Sequence, residues 1–181
     1  LHMRKGSLAL ASLVCLLACV SCREEEPVDV ERLTALSNNY TPLHMAALKC
    51  DAANAESILR SGAADIGARA VWDETALHVA AKQAGCAAVI RLLVKHGAAI
   101  EAEGAHRTRP LHHAAAEGDV ENIRALLDAG ASINAAGNAV VCGNCYRTPL
   151  ETAIEAKKTA NALYLISRGA KIDTVSIYGL R

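Results

Sequence analysis

Thr41-Pro42-Leu43-His44-Met45-Ala46-Ala47 is the stretch that decides the fold, because variants of it return three more times. The later copies begin at residues 75, 109 and 148, so successive starts are 34, 34 and 39 residues apart. They read Thr75-Ala76-Leu77-His78-Val79-Ala80-Ala81, Arg109-Pro110-Leu111-His112-His113-Ala114-Ala115 and Thr148-Pro149-Leu150-Glu151-Thr152-Ala153-Ile154. A near-constant period of this length indicates a stack of equivalent structural repeats.

Each copy also predicts the start of a helix. Thr41 can cap the helix and Pro42 suits its first turn, where a missing N–H costs nothing. The third copy has Arg109 in place of threonine, so we expect its cap to be weaker or to come from Thr108. A Gly-Ala pair follows each start by 21 or 22 residues and is expected to end a second helix with a left-handed glycine, at Gly62, Gly97, Gly130 and Gly169.

The second helix is clearest in the third copy, where apolar residues recur at helical spacing. These residues are Val120, Ile123, Leu126 and Leu127. The polar residues between them are expected to face outward, namely Glu121, Asn122, Arg124 and Asp128. The pattern predicts an amphipathic helix that packs on one side only.

The repeated motif resembles the ankyrin repeat, whose hallmark is Thr-Pro-Leu-His-x-Ala-Ala and whose period is about 33 residues. The resemblance covers residues 37–173. It implies an all-α fold, an ankyrin-repeat solenoid of stacked helix-turn-helix pairs with β-hairpin fingers between repeats. We expect a tether or leading helix at residues 23–36 and a C-terminal tail at residues 174–181.

Residues 1–22 predict export from the cytoplasm. Leu1-His2-Met3 resembles a cloning remnant before a native start at Met3. Two basic residues then precede an apolar run over residues 8–20, the arrangement of a secretory signal peptide. Cys19 has Leu16 three residues before it and Ala18 directly before it, which resembles a bacterial lipoprotein signal; Cys22 is the alternative lipidation site. A plain secretory signal or an uncleaved anchor remains the other interpretation.

This resemblance implies a protein held in the bacterial periplasm, attached to the outer or inner membrane by its N-terminal lipid. Several acyl chains together hold a protein on a membrane where one chain would not. Export also places the cysteines in a compartment where disulfides form and persist.

The composition excludes several classes of protein. The chain has 181 residues and no net charge, with 19 basic and 19 acidic residues, so the basic surface of a nucleic-acid-binding protein is missing. Hydrophobic residues make up 52%, which excludes a disordered chain. Aromatic residues make up only 3%, whereas 37 residues are alanine and 21 are leucine, so the core must consist of small, closely packed elements.

No catalytic or metal-binding constellation is recognisable, and we predict a non-enzymatic protein without a cofactor or metal. His44, His78 and His112 recur every 34 residues. Equivalent positions in packed helices lie 8–10 Å apart, whereas zinc–nitrogen bonds are near 2.0 Å. We therefore expect these histidines to bond to the backbone of the neighbouring repeat rather than to share a metal ion.

The cysteines allow several pairings. Cys142 and Cys145 lie in the long segment between the third and fourth repeats and are expected to form a local disulfide; a redox dithiol is the alternative. Cys50 and Cys86 fall in adjacent inter-helix turns, where a disulfide would fit, although two free thiols remain open.

What remains is a surface for protein binding. In ankyrin repeats the variable binding positions lie just before and just after the hallmark motif. Carried onto this chain, they are Asn38, Tyr40, Leu48, Lys49, Val71, Trp72, Glu74, Lys82, Gln83, His106, Thr108, Glu117, Tyr146, Arg147 and Glu155. Trp72, Tyr40, Tyr146 and Arg147 are the predicted anchors, because interface hot spots are rich in Trp, Tyr and Arg; alternatively, Trp72 packs on a neighbouring finger.

The leading hypothesis is a lipid-anchored, monomeric module that binds an unknown protein, with a protective or immunity-type role. Exported ankyrin proteins that it resembles have been linked to envelope protection. The alternatives are a periplasmic thiol–disulfide protein that uses Cys142 and Cys145, and a purely structural envelope spacer.

Overall fold

Four helix-turn-helix pairs follow one another in the computed structural model, which describes residues 39–138 and 146–172. All of these residues belong to one compact unit. The described helices are α1 (Pro42–Leu48), α2 (Ala52–Arg60), α3 (Ala76–Lys82), α4 (Ala87–Lys95), α5 (Pro110–Ala116), α6 (Val120–Asp128), α7 (Pro149–Glu155) and α8 (Thr159–Ser167). The predicted all-α solenoid is confirmed.

The first helices begin where the repeated motif predicts. The Thr41 hydroxyl accepts a hydrogen bond from the His44 N–H at 3.4 Å, and Pro42 fills the first turn of α1. Arg109 makes no side-chain cap bond at the start of α5. The Thr108 hydroxyl donates to the Ala105 carbonyl at 2.7 Å instead. The expectation of a weaker cap in the third repeat is thus confirmed, and a cap from Thr108 is wrong.

The second helices end as the glycine pattern predicts. Gly62, Gly97, Gly130 and Gly169 have φ of 68°, 93°, 98° and 92°. A side chain would be strained in this conformation, so glycine terminates the helix at little cost.

The fingers differ from the expected β-hairpins. Strand β1 (Gly137–Asn138) pairs antiparallel with β2 (Tyr146–Arg147) in the third finger. The first two fingers are tight loops closed by single backbone bonds, from Ala70 N–H to the Glu74 carbonyl and from Gly104 N–H to the Thr108 carbonyl, each 2.8 Å. Short 3₁₀ turns, Val71–Asp73 and Ala105–Arg107, form their tips. Strand pairing among the described residues is therefore confined to the third finger.

Alanine pairs form the centre of the stack. The pair that closes each hallmark motif in the first three repeats is completely buried, at Ala46, Ala47, Ala80, Ala81, Ala114 and Ala115. The motif leucines pack beside them and are also buried, at Leu43, Leu77, Leu111 and Leu150. Small side chains let the helices approach closely, so the core needs no phenylalanine.

Asn122 corrects the prediction for α6. We expected it to face outward, but it is fully buried. Its Nδ2 donates to the carbonyls of Ala81 at 3.3 Å and Gln83 at 2.6 Å in the preceding repeat. The helical period places Asn122 on the polar side of α6, but that side meets the neighbouring repeat at the start of the helix. Its amide is therefore buried with hydrogen-bond partners, as a buried polar group requires.

Several predictions fall outside the described residues. They concern the signal peptide of residues 1–22 with Cys19 and Cys22, the tether of residues 23–36, Asn38, the Cys142–Cys145 pair and the tail of residues 174–181. Within residues 39–138 and 146–172, no helix has the length and apolar character that crossing a membrane requires.

Candidate partner-binding groove

The repeated histidines join each repeat to the next, as predicted. His44, His78 and His112 each accept the backbone N–H of the residue that caps their own helix, at 3.3, 3.1 and 3.2 Å. Their Nε2–H groups donate to the carbonyls of Glu74, Thr108 and Arg147 at 3.1, 3.3 and 3.0 Å. Because each acceptor lies in the finger that precedes the next helix, these bonds fix the fingers against the helices.

Burial keeps these rings neutral. Burial is the largest cause that lowers the pKa of His44 and of His112, and it lowers the pKa of His78 to about 4. A neutral imidazole has one acceptor and one donor nitrogen, which is what the two bonds of each ring require.

The first finger is also tied to the second. Arg69 Nη1 donates to the Glu103 carbonyl at 2.7 Å, to the Asp73 carbonyl at 2.9 Å and to Asp73 Oδ2 at 2.8 Å. One guanidinium therefore closes its own finger and reaches the next one. The two finger tips are held in a fixed relation to each other.

Both finger tips have an unusual backbone. Trp72 and Asp73 have φ of 65° and 60°, and His106 and Arg107 have φ of 57° and 56°. Residues other than glycine in this region cost of the order of 1–3 kcal/mol each and persist where the surrounding structure enforces them. The bonds of Arg69 and the finger-closing backbone bonds supply that constraint.

A pocket of about 320 Å³ opens between the two finger tips and the first helices of the second and third repeats. We call the surface around it the groove, defined by the residues that line the pocket: Trp72, Glu74, Lys82, Ala105, His106, Thr108 and His113. Trp72 is 67% exposed at its edge. Most of the indole therefore remains uncovered by the neighbouring finger.

The floor of the groove holds a buried charge pair. Glu74 is only 4% exposed, and its Oε1 accepts from Lys82 Nζ at 2.5 Å. Glu74 therefore lines the floor as the partner of Lys82 rather than standing on the surface.

His113 shares this floor without a bond at Nε2. The atom lies 3.7 Å from Glu74 Oε1, which is too far for a hydrogen bond, and no other described group bonds it. Burial and the nearby Lys82 charge lower the pKa of His113 to about 3, with further contributions from His78 and His112. Its ring meets that of His78 edge-on at 5.6 Å between centroids.

The predicted binding positions of the first repeat lie at one end of this surface. Tyr40 is half-buried, and its ring stacks on His44 with centroids 5.6 Å apart. Leu48 is half-buried and packs against the core, whereas Lys49 is exposed. Tyr40 and Leu48 therefore have structural contacts beside any surface role.

The remaining predicted positions lie beyond the pocket. Val71 and Gln83 are half-buried, and the Gln83 carbonyl is bonded by Asn122. Glu117 is exposed. Arg147 forms an ion pair with Glu155, so two predicted positions of the fourth repeat engage each other. The side chain of Tyr146 is outside the described residues.

The structure brings together five of the fifteen predicted binding positions at the pocket, and it adds His113. The five are Trp72, Glu74, Lys82, His106 and Thr108. The sequence pattern alone does not distinguish whether His113 faces the core or the groove. The available signal was its place directly after His112, the histidine that recurs in the hallmark motif.

Cys50 and Cys86 form a disulfide, with Cα atoms 4.8 Å apart, which decides between the bond and the two free thiols that the sequence left open. This bond joins the inter-helix turns of the first two repeats. Within the part of the chain that the structure describes, no group of three or more histidine, cysteine or acidic residues has the arrangement of a metal site.

Comparison with known proteins agrees with the repeat architecture. The family described as ankyrin repeats in three copies matches residues 43–137, more than half of the chain. No curated protein matched this chain. Ankyrin repeats are protein–protein interaction modules, and this chain belongs to the ankyrin-repeat family.

Proposed function

We propose that this chain is a non-enzymatic binding module that docks a partner protein in the groove. The observation that carries the proposal is Trp72, a large side chain 67% exposed at the edge of a pocket of about 320 Å³. Tryptophan is prominent among interface hot spots. Such an exposed indole beside a cavity is a natural anchor for a partner surface.

The rigidity of the fingers supports this role. Arg69 ties the two finger tips together, and His78 fixes the second finger to α3. A preformed site loses less conformational entropy when a partner binds. The left-handed backbone at Trp72 and His106 has a cost in stability, which a binding function would explain.

The lining of the pocket indicates which part of a partner would enter it. The Glu74 carboxylate is already paired with Lys82, and His113 is neutral at physiological pH because its pKa is about 3. The pocket therefore offers an apolar wall and no uncompensated charge. We propose that it takes an aliphatic or aromatic side chain of the partner.

Photo-crosslinking in a bacterial host tests this proposal. A benzophenone amino acid at position 72 should form an adduct with a partner protein, and the same probe at position 163 should not. Leu163 is a matched control because it is a large apolar residue, 62% exposed, in the fourth repeat away from the pocket. Equal adducts at both positions, or none at either, would contradict the proposal.

We also propose that the partner is met in the bacterial envelope, where a lipid on Cys19 anchors the chain and where its role is protective or immunity-like. The support is the sequence Leu16-Leu17-Ala18-Cys19 after an apolar run. Metabolic labelling with a palmitate analogue should mark the full-length chain and the Cys22→Ser variant but not Cys19→Ser. Label retained by Cys19→Ser would overturn the assignment to Cys19.

A further inference from the structure

Two of the three repeat interfaces are closed by the same asparagine clamp. Asn122 is the third residue of α6 and bonds two carbonyls of the second repeat. Asn161 is the third residue of α8, and its Nδ2 lies 3.3, 3.1 and 3.2 Å from the carbonyls of Ala114, Ala115 and Gly118 in the third repeat. Both residues are buried, so each clamp holds the end of the preceding first helix away from water.

The interface between the first and second repeats lacks this clamp. The third residue of α4 is Val89, which is buried and has no hydrogen-bond donor in its side chain. Cys86 caps α4, and its sulfur lies 3.4 Å from the Ala47 carbonyl. That carbonyl occupies the place of Ala81, which Asn122 bonds one repeat later. A disulfide sulfur has no proton to donate, so this contact does not replace the amide.

The Cys50–Cys86 disulfide joins the two repeats whose interface lacks an asparagine clamp. Cys50 occupies the turn between α1 and α2, and Cys86 begins α4, so the bond connects the first repeat to the second. Among the described residues, the bond from His44 Nε2 to the Glu74 carbonyl also joins these two repeats. The disulfide therefore holds the first repeat against the second, as asparagine holds the later repeats together at the other two interfaces.

We infer that the Cys50–Cys86 disulfide is a redox-sensitive clamp, and that its reduction releases the first repeat from the stack while the later repeats stay packed. A dithiol supplies the two electrons: its thiolate attacks one sulfur and forms a mixed disulfide, and its second thiol then closes the reductant's own disulfide. Cys50 and Cys86 end as thiols. Cys50 is partly exposed and Cys86 is buried, so Cys50 is the accessible sulfur.

The consequence for the groove rests on the proposed function. The first repeat contributes Tyr40, Leu48 and Lys49 at one end of the predicted binding surface. It also bonds to Glu74, which forms the floor of the pocket, through His44. Release of the repeat would remove that end of the surface, so partner binding would depend on the redox state.

Hydrogen exchange followed by mass spectrometry tests the clamp without any partner. The test uses the full chain with serine at the five other cysteine positions, residues 15, 19, 22, 142 and 145, so that dithiothreitol acts on the Cys50–Cys86 bond. On reduction we expect amides of residues 42–60 to exchange about 30-fold faster or more, while those of residues 110–128 change little. Unchanged exchange, or equal acceleration in all repeats, would overturn the inference.

A second variant guards against misfolding during synthesis. Cys50→Ser combined with Cys86→Ser should show the fast exchange of the first repeat without reductant and should not respond to dithiothreitol. A further response to reductant would contradict the assignment. Because neither readout involves a partner, a negative result concerns the clamp alone, whereas failure of crosslinking at position 72 concerns the proposed function alone.

Discussion

The histidine of the hallmark motif makes two hydrogen bonds, one to the cap of its own helix and one to the next finger. The glutamate at this position in the fourth repeat can make only the first. His78 accepts the Thr75 N–H at Nδ1 and donates from Nε2 to the Thr108 carbonyl. Glu151, at the equivalent position, accepts the Thr148 N–H at 2.8 Å. A carboxylate cannot donate to a carbonyl, so Glu151 retains the cap and lacks the link to a following finger.

Because of this difference, the two reciprocal substitutions should change the free energy of unfolding by unequal amounts. His78→Glu should lower the free energy of unfolding by about 3 kcal/mol or more, because it buries a carboxyl group beside the Thr108 carbonyl. The reverse exchange, Glu151→His, should change it by less than about 1 kcal/mol, because an imidazole keeps the cap. Urea denaturation of both variants measures this; similar losses would show that the second bond is unimportant.

Buried neutral histidines also predict a pH dependence. The pKa of His78 falls from 6.5 to about 4, chiefly because of burial, and that of His113 falls to about 3 for the same reason. Between pH 6.5 and these values the unfolded chain binds protons that the folded chain does not. Stability should therefore fall as the pH drops through this window, by roughly 3 kcal/mol for His78 alone.

NMR titration of the histidine rings measures this separately from the carboxylates. The ring signals of His78 and His113 should remain those of neutral imidazole down to about pH 5. Titration of either ring near its ordinary pKa would contradict the burial argument.

At the residue scale, the sequence predicted correctly the role of residues that recur at the same position in successive repeats. The three histidines were predicted to bond to neighbouring backbone, and they do. Asn122 was misplaced because helical periodicity reports one helix at a time, while its partners lie about 40 residues earlier in the chain. Contacts between repeats are invisible to the period of a single helix.

At the scale of elements, the turn between the helices of the third repeat depends on a close approach. A side chain at Gly118 would meet the Ala81 carbonyl oxygen at 2.4 Å and the Ala114 carbonyl oxygen at 2.9 Å. These atoms belong to backbone that is packed in the core. The turn therefore passes against the preceding repeat at a distance that only glycine allows.

Two alanine substitutions distinguish the effect of this close packing from the effect of a left-handed backbone conformation. Gly118→Ala should destabilise the protein by more than about 2 kcal/mol, because two buried helices must move apart. Gly62→Ala should cost about 1 kcal/mol, because its φ is 68° but nothing lies within 4 Å of the added atom. Thermal unfolding of both variants tests the order; a larger loss at Gly62 would contradict the packing account.

Helix starts and ends were predictable because their signals are local. Proline at the first helical position and glycine after the last one act within a few residues. The fingers were predicted less well, because hairpin pairing depends on finger length and on contacts such as Arg69 to the Glu103 carbonyl. Local sequence signals do not contain these contacts.

At the scale of the whole molecule, the scarcity of aromatic residues is the outcome of stacking. Buried alanine pairs let neighbouring repeats pack closely, and each repeat completes its core on the next. The sequence could predict this architecture because the four copies of the motif adopt the same helix-turn-helix structure. It could not predict which binding positions form the pocket, since that depends on how Glu74 and Lys82 pair at the floor of the groove.

The central claim is that Trp72 anchors a partner in the groove. The most direct test measures how tightly the purified chain binds the partner that crosslinking identifies. Isothermal calorimetry should show that Trp72→Ala weakens binding by about 30-fold or more, the loss typical of an interface hot spot. Leu163→Ala should leave the affinity within about threefold of the unchanged chain. Equal affinities for the unchanged chain and Trp72→Ala would contradict the account.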